Sequence, residues 1–129
     1  MSEIQILTEF KNGLITFFDE LIEQFPCEGD LVMIRIFLKD QINITDVINI
    51  FTNVINKDDQ KLKKMIKERN ENFFLENNIF ESFSKNKVLH FKKLWRSGAL
   101  DADDKKVVWK WIDSFVFLSD KYNKLKINL

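Results

Sequence analysis

The chain has 129 residues, 45% apolar and 31% charged, with 20 Lys and Arg balanced by 20 Asp and Glu. That balance excludes wholesale disorder, which needs low hydrophobicity and high net charge, and the length suits one domain with its own core. Three Gly and one Pro are too few for the tight turns of an all-β fold, and zero net charge excludes a broad positive field toward nucleic acid.

The first predicted helix runs from about Glu3 to Phe25. Leu7, Phe10, Leu14, Phe17, Phe18, Leu21 and Phe25 recur at three- and four-residue spacing and share one face. Pro26 stops it by removing a backbone donor and restricting Phe25. Gly13, inside the helix, costs about 1 kcal/mol relative to Ala and marks a close helix crossing or a kink.

Asp30 is the expected cap of a second helix ending near Lys39. Leu31, Val32, Met33, Ile34, Ile36, Phe37 and Leu38 make it apolar nearly all round, which predicts a central, buried element. Its β-branched content leaves a strand as the alternative. Asn43 or Thr45 caps a third helix carrying Ile44, Val47, Ile48, Phe51 and Ile55. A fourth starts near Asp58 and carries Leu62, Met65 and Ile66.

Between Asn70 and Lys87, Phe73, Phe74, Leu75, Ile79, Phe80 and Phe83 are spread among asparagines, which predicts short helical turns tucking aromatics into the core. Ser84 opens a fifth helix through Val88, Leu89, Phe91, Leu94 and Trp95 to Arg96, with Gly98 as its left-handed stop. Asp101 caps the sixth helix, Asp103 and Asp104 suit its positive end, and Lys121, Lys124 and Lys126 suit its negative end. Its main stripe runs through Val108, Trp111, Phe115 and Tyr122. The whole chain, residues 1–129, reads as a single-domain all-α bundle of about six helices.

No catalytic residue, metal site or cofactor is expected. His90 is the only histidine, so a multi-histidine metal site is excluded, and nothing orients a Cys27–His90 dyad. Capping explains the aspartates of Asp101-Ala102-Asp103-Asp104 without a cation. Phosphate-cradling Gly-rich loops are absent. The single Cys27 fits a reducing compartment, and the sequon Asn43-Ile44-Thr45 reads as a helix cap. Met1–Thr16 lacks a basic start and a continuous apolar run, so no signal peptide is expected. Leu31–Leu38 is far short of the roughly 20 apolar residues of a membrane helix. A cytoplasmic location follows as the expectation.

Two surfaces remain as candidates. Trp109, Val116 and Phe117 widen the apolar part of the sixth helix beyond one face. Either that helix lies in the bundle centre, or one side reaches a protein partner or a second copy, with Trp109 the residue to mutate first. The alternative is nucleic-acid contact by Lys57, Lys61, Lys63, Lys64, Lys67 and Arg69, partly offset by Asp58, Asp59 and Glu68.

Leu94-Trp95-Arg96-Ser97-Gly98-Ala99-Leu100, followed by Asp104-Lys105-Lys106-Val107-Val108-Trp109-Lys110-Trp111-Ile112, resembles small helical proteins of nucleocytoplasmic large DNA viruses. The resemblance covers residues 94 to 122, a Leu-Trp segment, a short acidic linker and a Trp-Lys-aromatic helix. It implies a virus-encoded helical protein in the host cytoplasm or the virion, and no catalytic residue. Heavy use of Lys, Asn, Ile and Phe suits an AT-rich viral genome.

Overall fold

A computed structural model describes residues 1–76 and 92–127, and among these the chain is helical with no strand. Helix α1 spans Glu3–Gln24. Ser2 caps it reciprocally: the Ser2 hydroxyl accepts from the Gln5 amide at 3.2 Å, and the Gln5 side chain accepts from the Ser2 amide at 2.9 Å. It ends two residues before Pro26, as that proline dictates.

Helix α2, Gly29–Ile36, continues into a wider π-helical turn, Phe37–Gln41, closed by the Ile42 amide on the Phe37 carbonyl at 3.0 Å. The segment is helical, not a strand. Two expectations for it are corrected. Asp30 is not the cap: the turn after Pro26, closed by Glu28 N–H on the Phe25 carbonyl, starts the helix at Gly29, leaving Asp30 as a first-turn carboxylate. Nor is the helix central. Leu31, Ile34 and Leu38 are buried while Val32, Met33 and Ile36 are exposed, because α2 lies on the flank of α1 and covers only one side.

Helix α3 spans Ile44–Lys67, with the Asn43 side chain accepting from the Thr45 amide at 2.9 Å. That settles the cap in favour of Asn43. The expected break between a third and fourth helix is present inside it: Lys57 is extended, and Asp58, Asp59 and Gln60 are all left-handed, with φ of 52°, 56° and 64°. A left-handed L-residue costs about 1–2 kcal/mol, less for aspartate, whose side chain bonds locally. Gln60→Gly is therefore expected to raise stability by about 0.5–1 kcal/mol, the relief of strain exceeding the entropy of a freer unfolded chain. Chemical denaturation measures this, and an unchanged or lower midpoint would refute it.

The second half of α3 ends in a Schellman closure, with Asn70 N–H on the Met65 carbonyl and Arg69 N–H on the Ile66 carbonyl. Arg69, with φ of 58°, occupies the left-handed position that glycine usually takes. Helix α4, Glu71–Glu76, tucks Phe74 and Leu75 inward as expected. Residues 92–96 form α5, which Gly98 terminates at φ 84°. Helix α6, Ala102–Ile127, opens with Asp101 accepting from the Asp104 amide at 2.8 Å and Asp104 accepting from the Asp101 amide at 3.1 Å. The expected start of the fifth helix at Ser84, its Val88, Leu89, His90 and Phe91, and the inward packing of Ile79, Phe80 and Phe83 fall outside the described residues.

Helices α1 and α6 are antiparallel partners at the centre. Lys126 meets Glu3 at one end at 2.7 Å, and the Trp111 indole donates to Glu20 at 2.8 Å toward the other. Phe115 sits among Phe10, Phe17, Phe51 and Trp111, with ring centroids 5.5–6.5 Å apart. Gly13 faces this cluster. A Cβ there would lie 3.2 Å from the Phe115 ring and 3.5 Å from Trp111, so the glycine marks a close crossing of α1 and α6, the first of the two sequence readings. A second cluster joins Phe74, Trp95 and Trp109, with centroids 5.0–6.0 Å apart. Buried Thr52 and Ser119 donate to the carbonyls of Ile48 and Val116, which satisfies their hydroxyls.

Candidate protein-interaction surface

Around α6, burial follows the predicted stripe and extends beyond it. Val108, Trp109, Ile112, Phe115, Leu118, Ser119 and Tyr122 are buried, and Trp111 is half-buried. The face is wide because α1 and α3 pack along it while α4 and α5 cover a further side near its N-terminal end. Trp109 falls on that further side. Only 6% exposed, it packs on Phe74 and Trp95 and carries the Arg69 guanidinium 5.2 Å from its ring centre. It is a core residue and offers no surface to a partner, which corrects its choice as the first interface residue to mutate.

Val116 is half-buried, and Phe117 is 55% exposed with the Lys121 ammonium 5.3 Å from its ring centre. Of the three α6 candidates, Phe117 is the one presented to solvent. Val116 lines a cleft of about 250 Å³ with Lys63, Ile66, Lys67, Arg69 and Asp113. A second cleft, of about 120 Å³, lies between α1 and α6 and is lined by Glu20, Gln24, Asp104 and Val107 among others. Both fall below the roughly 300–1,000 Å³ typical of small-molecule sites.

The six cations of the basic segment do not form one free face. Arg69 donates to both Asp113 oxygens, at 2.8 and 2.6 Å, and to the Ile66 carbonyl at 3.1 Å. Its hydrogen bond to Asp113 pushes its pKa above the ordinary arginine value. Lys63 pairs with Asp120 at 2.7 Å, and Lys61 lies over the Phe73 ring at 5.1 Å. Lys57 sits on the turn, while Lys64 and Lys67 are exposed on the second half of α3. The structure thus ties Lys63 and Arg69 to carboxylates of α6.

Elsewhere the charged groups stitch helices together. Glu76 binds Arg96 at 2.9 Å and Lys92 at 3.6 Å, linking α4 to α5. The Arg96 hydrogen bond, followed by the Lys92 charge, holds the Glu76 carboxyl below the usual carboxylate range. A lowered carboxyl pKa stabilises the fold above its unfolded value, and that contribution is lost as pH falls through the folded value. Cys27 is exposed, and among the described residues no group of three or more His, Cys, Asp or Glu could hold a metal. No helix among them is long and apolar enough to cross a membrane.

The surface that sequence reasoning missed is on α2. Val32, Met33 and Ile36 are 37%, 55% and 39% exposed, and their spacing places them together on its outer side. Arg35, inside the apolar run, was the available signal: it reaches Asp19 of α1 across the surface, so one side of α2 had to stay wet. No family model matches the chain, and no curated protein or solved structure matches it either.

Proposed function

We propose that the chain is a non-enzymatic interaction or structural module that binds a partner chain, or a second copy, through an apolar helix face. The observation that carries this reading is the outer side of α2, where Val32, Met33 and Ile36 meet solvent while Leu31, Ile34 and Leu38 of the same segment are buried. Contiguous exposed apolar side chains mark association surfaces more often than isolated ones do. Methionine adapts its shape to a partner at low cost. Phe117 on α6 is a single exposed ring already engaged by Lys121, which makes it the lesser candidate. The setting we propose, from the resemblance over residues 94–122, is a virus-encoded protein of the host cytoplasm or virion.

Affinity capture from the native context, with mass spectrometry, tests the reading through two variants. Met33→Asp combined with Ile36→Asp is expected to stay folded, since substitutions of exposed side chains usually shift stability by no more than about 0.5 kcal/mol, and to lose the partner. Phe117→Asp is expected to retain it. A partner kept by the α2 variant and lost by Phe117→Asp would move the interface to α6. A partner kept by both would refute the proposal.

A further inference from the structure

The turn inside α3 is placed where the sequence carries turn-favouring aspartates but neither of the two strongest helix breakers. Ile44–Lys67 contains neither glycine nor proline, yet Asp58, Asp59 and Gln60 are left-handed in succession. The apolar positions on either side of this turn are in phase for a single helix. Ile55 and Leu62 are seven residues apart, about two turns, and Ile48 and Ile66 are eighteen apart, about five turns. An uninterrupted helix over residues 44–67 would therefore keep one apolar stripe and remove the left-handed strain.

Straightening the turn would carry everything after it away from everything before it. Each half keeps its own internal contacts. In the first half these include Phe10 on Phe51 and Arg35 with Asp19. In the second they include Lys63 with Asp120, Arg69 with Asp113, and Phe74 on Trp109. The contacts that would open join the halves: Phe115 against Phe10 and Gly13, Trp111 against Phe17 and Glu20, and Lys126 with Glu3. A surface so specific to its own counterpart is refilled by the same counterpart from a second copy. Short strained hinges favour that exchange.

We propose that this chain forms a domain-swapped homodimer in which residues 44–67 run as one continuous helix and the two copies exchange their segments beyond residue 60. The proposal is independent of the α2 face: Met33→Asp leaves the swapped dimer unchanged, so either reading can fail while the other stands.

Two full-length variants test it by complementation. Gly13→Leu overfills the α1–α6 crossing and Phe115→Ala empties it, so each alone is destabilised. When the two are unfolded together and refolded, a swapped heterodimer sets the introduced leucine against the introduced alanine at one crossing and retains Gly13 with Phe115 at the other. Light scattering is expected to show a species of twice the chain mass that melts above either variant. A mixture that behaves as the sum of its parts overturns the proposal. The hinge supplies a second measurement on the otherwise unchanged chain. Gln60→Gly is expected to weaken dimerisation by about 5–30-fold per chain, the equivalent of removing one residue's left-handed strain. Replacing Asp58, Asp59 and Gln60 together with Ala, which favours the helix, is expected to raise the dimer fraction. A dimer fraction unmoved by both hinge variants also overturns it.

Discussion

Phe115→Ala is expected to lower the stability of the monomer by about 3–5 kcal/mol, the range for truncating a buried aromatic ring. A domain holds together by only about 5–15 kcal/mol in total, so this one change consumes a large share of the margin. Phe115 lies where α1, α3 and α6 meet, in ring contact with Phe10, Phe17, Phe51 and Trp111. Each neighbour is fixed on a long helix, so the void cannot close by a local shift and the cavity cost remains. Urea denaturation followed by circular dichroism gives the number. A loss under about 1.5 kcal/mol would show that the helices collapse onto the space, and that the cluster is not the centre of the fold.

Trp109→Ala is expected to cost about as much, roughly 3–5 kcal/mol. Truncation removes contacts to Phe74 and Trp95 and the surface over which the Arg69 guanidinium lies. That cation–aromatic contact adds about 0.5–1 kcal/mol where solvent reaches it. The distinguishing readout is cooperativity. Because Trp109 joins α4 and α5 to α6, its loss should free residues 71–76 and 92–96 before the α1–α6 pair opens. Hydrogen exchange would show those amides losing protection first. A variant of wild-type stability would return Trp109 to the surface and restore it as an interface residue.

The two tryptophans of the Trp-Lys-aromatic segment show where the sequence was ambiguous. Trp109 and Trp111 differ by two positions, about 200° around a helix, so a single buried stripe cannot hold both. The predicted stripe took Trp111, which packs half-buried on Phe17 and Phe115 with its indole donating to Glu20, and Trp109, off that stripe, is buried as well. What buried Trp109 was the position of α4 and α5, which lie outside α6 and supply Phe74 and Trp95. No pattern internal to α6 records where those elements dock. The basic segment is ambiguous for the same reason. Lys63 and Arg69 find Asp120 and Asp113 at separations of 57 and 44 residues in the chain, beyond the reach of any spacing rule.

Local chemistry was legible wherever a decision depended on neighbours within a turn. Helical periodicity, the stop at Pro26, the Asp101 cap, the left-handed Gly98 and the break near Asp58 could all be read from the chain, and the third helix's cap could be narrowed to Asn43 or Thr45, because each is settled by backbone donors and dihedrals a few residues apart. The docking of α2 on α1, of α4 and α5 on α6, and of α3 against α6 determined which side of α2 faces solvent, that Trp109 is buried, and which cations are paired. Those outcomes depend on burial against distant elements, and a side chain's burial is a property of the assembled bundle rather than of its own segment.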